Sequence, residues 1–106
     1  MQWIYLIVAG VFETCWAVGL KYSEGFSRLL PSVLTIAGMI ASFAFLSLAL
    51  RSLPLGTAYA IWTGIGTIGT FVAGIFLFRD PFSMLQILCV VLIAAGIAGL
   101  KLLSAK

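Results

Sequence analysis

Residues 3–20 read "WIYLIVAGVFETCWAVGL", an apolar stretch whose one acidic or basic side chain is Glu13. A helix that crosses a bilayer needs roughly 20 mostly apolar residues, and this stretch has about that length. An ionised side chain near the bilayer centre costs about 2.5 to 3.5 kcal/mol on insertion scales and more in simulation. A carboxylate kept there calls for a ligand or a partner. No basic residue precedes the stretch and no small-x-small exit follows it, so it is expected to stay in the mature chain rather than leave as a signal peptide.

The rest of the chain has the same character. Of its 106 residues 63% are hydrophobic and 8% charged, too apolar for a soluble domain of this length. There is room for about four spans and none for a soluble catalytic domain. "KYSEGFSRL" (21–29) closes the first span, about 3–20, as loop one. The second runs about 30–50, with Pro31 in its first turn, where a missing N–H does no harm, and stops at Arg51. "RSLPLG" (51–56) is loop two and the third span covers about 55–78. In "FRDPFS" (78–83), Asp80 is placed as N-cap and Pro81 as first helical residue of a fourth span, about 82–103. The apolar runs do not alternate and are twice a barrel strand's length. The predicted fold is an all-α membrane protein, one four-helix transmembrane domain over residues 1–106.

Cys15 and Cys89 fall inside apolar spans as small packing residues, and without histidine they form no metal-ligand set. No disulfide, metal or other cofactor is expected. The net charge of +3 comes from residues scattered at span ends, which points to solvated loops and lipid head groups and not to nucleic acid.

Charge placement is the most informative feature. The N-terminus, loop two and the C-terminus share one side with Arg51, Lys101 and Lys106, while loops one and three carry Lys21, Arg28 and Arg79. An excess of Lys and Arg on the cytoplasmic side normally sets orientation, and here three face three. The chain is therefore expected to insert both ways and to pair as an antiparallel homodimer about a two-fold axis in the membrane plane, a two-chain version of the inverted repeats of larger transporters. Glu13 lies about two residues, roughly 3 Å, from the midpoint of its span. Inverting a second copy leaves both carboxylates at nearly one depth.

On a helix the neighbours of Glu13 are Ala9, Gly10, Trp16 and Ala17. Small residues beside a carboxylate admit another helix or leave space for a ligand, and Trp16 offers an aromatic face to a cation. The plainer alternative is a protonated Glu13 hydrogen-bonded in a helix interface. Trp16 sits near mid-depth, away from the interfacial belt that Trp3 and Tyr5 already supply; packing alone and a ligand-facing role both fit it.

In the third span Tyr59, Trp62, Thr63 and Gly66 share a polar and aromatic face, which otherwise reads as an interfacial aromatic pair. Gly64, Gly66 and Gly69 thin that helix over two turns and permit close packing or a bend. Ser42, the polar residue nearest the centre of the second span, faces the site or bonds its own backbone. Ala95, Gly96 and Gly99 form a small-residue dimer contact in the fourth span. Lys101 at that span's end reads by default as a lysine snorkelling to head groups.

The segments "ETCWAVGLKYSEGF" (13–26), "PSVLT" (31–35), "LPLGTAYAIWTGIG" (53–66) and "GIAGLK" (96–101), spread over nearly the whole chain, resemble the small multidrug resistance family. Trp16, three residues after the membrane glutamate, and Lys101 are similar to the guanidinium-exporting subtype; the drug-exporting subtype has glycine at the Trp16 position and lacks the lysine. The resemblance implies a multi-pass protein of the bacterial inner membrane, an antiparallel homodimer exchanging protons for guanidinium. It implies Glu13 as the shared proton and substrate ligand, Trp16 and Ser42 as its hydrogen-bonding neighbours, Tyr59 and Trp62 as aromatic lining, and Lys101 as a subtype marker.

Guanidinium is planar, its N–H groups address carboxylate oxygens in a fork, and aromatic faces suit its charge. Protons and substrate would then compete for the paired Glu13 carboxylates by alternating access. The alternatives are export of quaternary ammonium cations within the same family or, from another class, a small channel or a structural membrane subunit. An enzyme is not expected.

Overall fold

The computed structural model describes residues 2–104; Lys106, counted above in the charge balance, lies outside them. Four α-helices follow one another: α1 Gln2–Tyr22, α2 Leu29–Leu50, α3 Leu55–Phe78 and α4 Met84–Ser104. At 1.5 Å per residue they are about 32 to 36 Å long, enough to cross a hydrocarbon core of about 30 Å. All four are long and apolar enough to span a membrane.

The helix ends follow from local chemistry. Pro54, with φ −60° and ψ 147°, stands just before α3, the extended setting of an N-cap. At the other end Arg79 turns left-handed (φ 54°), and the following Asp80 N–H reaches back to the Gly74 carbonyl at 3.1 Å, using an acceptor the last turn leaves free.

The start of α4 corrects the expectation. Pro81 lies in an irregular segment, and the cap is Ser83, not Asp80. The Gln86 N–H donates to Ser83 Oγ at 3.2 Å while the Ser83 N–H donates to Gln86 Oε1 at 2.9 Å. This reciprocal capping box satisfies two otherwise orphaned donors, and its Ser-x-x-Gln signature stands in the sequence. Asp80, freed from capping, turns toward Lys21, with Nζ to Oδ1 3.7 Å.

Loop one is wound tightly around buried Ser23, whose Oγ donates to the Leu20 carbonyl at 2.6 Å and accepts from the Phe26 N–H at 3.1 Å. The chain passes it through three left-handed residues, Glu24, Gly25 and Phe26; only at Gly25 is that conformation free of Cβ strain.

α1 packs against both α2 and α3, whereas α4 packs against α3 alone among the described helices. The molecule is a slab of about 45 × 34 × 17 Å. Lipid tails are as apolar as leucine, so close approach and hydrogen bonds hold such helices together. Against antiparallel α2, a Cβ at Gly38 would lie 3.0 Å from Trp16 Cβ, and one at Gly19 2.6 Å from Thr35 Oγ1.

Parallel α3 interdigitates with α1: Ile65 fills the space over Gly10, while Glu13 and Thr14 fill the space over Gly66 and Gly69. The buried apolar cluster, Leu6, Ala9, Leu46, Ala49, Ala58, Ile61 and Trp62, lies toward the N-terminal end of α1. None of the described residues of α4 is buried.

Candidate substrate-binding site

Glu13 stands at mid-height of α1 and opens into a cavity of about 410 Å³ between α1 and α3. α1 supplies Glu13, Trp16 and Ala17, which fall on one face by their spacing of three and four. α3 supplies Gly66, Thr67, Thr70 and Phe71, and Asp80 closes the loop-facing end. The helices come this close because Gly66 has no side chain: a Cβ there would coincide with the Glu13 carboxylate.

Glu13 Oε1 and Trp16 Nε1, a carboxylate acceptor and an indole donor, are buried without a hydrogen-bond partner among the described residues. Buried polar atoms are nearly always paired, so each exception needs an explanation. A cation with N–H donors entering this cavity would meet the carboxylate and an aromatic face together. Thr63 Oγ1 is likewise buried without a partner. No group of three or more His, Cys, Asp or Glu side chains suited to a metal ion occurs among the described residues.

Ser42 and Trp62 belong to a neighbouring layer, one turn toward the N-terminal end of α1. Trp62 Nε1 donates to Ser42 Oγ at 2.9 Å, and Ser42 Oγ donates to the Ala9 carbonyl at 2.7 Å. The expected hydrogen bond from Ser42 to Glu13 is thus replaced by a chain that ties α3, α2 and α1 together. Tyr59 is 55% exposed and packs its ring on Trp62 at 5.3 Å, with Phe43 on Trp62 at 5.6 Å. These rings do not line the Glu13 cavity.

The glycines serve close approach. Gly66 and Gly69 receive Glu13 and Thr14 of α1, Gly64 receives Ile97 of α4, and α3 remains helical throughout. Lys101 sits at the opposite end of the molecule, its Nζ 5.7 Å from the centre of the Trp3 ring, beside an apolar groove of about 250 Å³ that includes Leu6, Ile61 and Ile97. Around Gly96 and Gly99 there is open space, and Ala95 is exposed beside them.

Sequence reasoning missed Thr67, Thr70, Phe71 and Asp80. The threonines carried a signal, since Thr63, Thr67 and Thr70 recur at helical spacing in an apolar span. Phe71 resembles any lipid-facing aromatic, and Asp80 was assigned to capping.

Four helices, each long and apolar enough to span a membrane, with a carboxylate at mid-height of the first, define a small multi-pass membrane protein. Residues 1–93 match the Small Multidrug Resistance protein family. Proteins named guanidinium exporter from Citrobacter freundii and Salmonella typhimurium are each 56% identical over 102 residues, 96% of this chain and 97% of theirs. One of the same name from Yersinia pseudotuberculosis is 56% identical over 104 residues, 98% of this chain and 100% of its own. The chain belongs to the small multidrug resistance family, a multi-pass inner-membrane transporter and not an enzyme.

Proposed function

We propose that the chain exports guanidinium in exchange for protons, with both competing for Glu13. The carrying observation is the buried Glu13 oxygen, without a hydrogen-bond partner among the described residues, in a cavity shared with Trp16. The carboxylate accepts the forked N–H groups of the cation and the indole face stabilises its charge. The relatives named as guanidinium exporters support the same substrate.

The working unit is an antiparallel homodimer of single-domain chains inserted both ways, which brings two Glu13 carboxylates to one depth. The unpartnered small residues Ala95, Gly96 and Gly99 supply the contact between copies. Ser42, Trp62 and Tyr59 brace α1 and α3 beside the site and reach the substrate when the second copy completes it, together with Gly10 and Thr63. The glycine-thinned segment of α3, Gly64 to Gly69, is where that helix bends as access alternates. Lys101 marks the subtype from its place at the end of α4. Only a loaded or protonated dimer changes the open side, so the proton gradient drives export.

The test is the transient current of reconstituted protein on adding guanidinium, with a bulky quaternary ammonium ion run beside it. A saturable, pH-dependent guanidinium response, abolished in Glu13→Gln, is expected. Intact transport in Glu13→Gln would overturn the reading, and preference for the bulky ion would move the chain to the drug-exporting class. Non-saturating current without a proton gradient would indicate a channel, and silence for both cations a structural subunit.

A further inference from the structure

We infer that Asp80 and the ring of Phe78 form an outer cation site at the loop-facing mouth of the Glu13 cavity, held in the resting chain by the Lys21 ammonium and taken over by the transported cation as it passes. This rests on the cation-transport reading above. Lys21 Nζ lies 3.7 Å from Asp80 Oδ1 and 4.8 Å from the centre of the Phe78 ring. A carboxylate beside an aromatic face is the same combination that suits guanidinium at Glu13 and Trp16. The outer pair already holds a cation, and that cation is the protein's own amine.

The pair is built to exchange. The two side chains are 58% and 48% exposed, and ion pairs in such settings contribute little net stability. Replacing one ammonium by another cation therefore costs little, and guanidinium adds a forked geometry that lysine lacks.

The outer site is also in line with the inner one. Asp80 lines the same cavity as Glu13. Its carboxylate occupies the space over Gly74 as Glu13 occupies the space over Gly66. Gly66, Thr70 and Gly74 fall at intervals of four on one stripe of α3, so the two carboxylates are about two turns apart, roughly 12 Å. Thr70 stands between them. A cation leaving Glu13 for the loop-facing side meets Asp80 before bulk water.

The experiment compares wild type with Asp80→Asn, Asp80→Glu and Lys21→Gln in proteoliposomes, measuring initial guanidinium transport against concentration at low and high salt. Asp80→Asn is expected to raise the half-saturating concentration about tenfold at low ionic strength with little change in maximal rate. The gap should shrink at high salt, and Asp80→Glu should restore wild-type values. Lys21→Gln should lower the half-saturating concentration by removing the resident competitor.

If the ion pair only ties α1 to the loop, both charge removals shift the kinetics in the same direction and reduce the maximal rate, which would overturn the outer site. Unchanged half-saturation in Asp80→Asn would do the same. Independently of transport, guanidinium chloride titrated into the Glu13→Gln variant in nanodiscs should move the Lys21 Nζ NMR resonance, and Asp80→Asn should abolish that movement. A moving resonance in a chain whose wild type transports no guanidinium would keep the outer site and remove the transport reading. A still resonance beside normal wild-type transport would remove the outer site alone.

Discussion

The carboxylate of Glu13 rests against Gly66 at the point where any other residue would carry its Cβ. The carboxylate of α1 thus owes its setting to an absence on α3. In Gly66→Ala the Glu13 side chain, which is flexible at its far end, should swing aside at small cost in stability. Guanidinium affinity should fall about tenfold, equivalent to about 1.4 kcal/mol, with the detergent melting temperature nearly unchanged. Gly64→Ala, which meets Ile97 Cδ1 at 2.6 Å on the α4 side, should leave affinity intact. Equal losses in both variants would trace the effect to general helix packing.

The proposed competition of proton and guanidinium at Glu13 fixes the sign of the expected pH dependence. Protonated Glu13 offers no negative charge, so guanidinium affinity should fall as pH drops, by up to about tenfold per pH unit for each proton displaced. Titration calorimetry across pH reads this slope. In Glu13→Gln any residual binding should be flat with pH, and a slope that survives would place the competing proton elsewhere.

Ser42 both accepts from Trp62 Nε1 and donates to the Ala9 carbonyl, so its removal orphans a buried indole donor. Ser42→Ala should cost about 1 to 3 kcal/mol, read as a lower melting temperature in detergent. Trp62→Phe removes the donor itself, and the double variant should lose less than the sum of the singles. Strict additivity would mean that the two side chains act independently.

The Ser83 and Gln86 capping box lies outside the cavity lining. Ser83→Ala should therefore cost about 1 kcal/mol of helix stability and speed amide exchange at the start of α4, without altering guanidinium transport. A transport defect would show that the order of this helix end matters to the cycle.

Four helices and the mid-depth position of Glu13 were legible because they are properties of a single segment. Apolar length decides a span, and position along a helix decides depth. Trp16 beside Glu13 was legible too, since a spacing of three puts both on one face. The cap of α4 was legible in principle as Ser-x-x-Gln, but Asp80 and Pro81 offered a competing start.

What escaped was the rotation of each helix against its neighbours. Periodicity puts Tyr59 and Trp62 on one polar face with Gly66, and Ser42 is the polar residue nearest the centre of its own span, yet in the fold the three form a layer beside the Glu13 cavity. Thr67, Thr70 and Asp80 reach the cavity instead.

By itself the sequence determined that this chain lives in a bilayer, crosses it with four helices and carries one acid at mid-depth, because segment length and helical depth are local quantities. Only the tertiary structure decided which residues surround that acid. Helix rotation is set by which small side chains let two backbones approach, here Gly66 and Gly69 against Glu13 and Thr14, and that choice belongs to pairs of residues more than 50 positions apart in the chain.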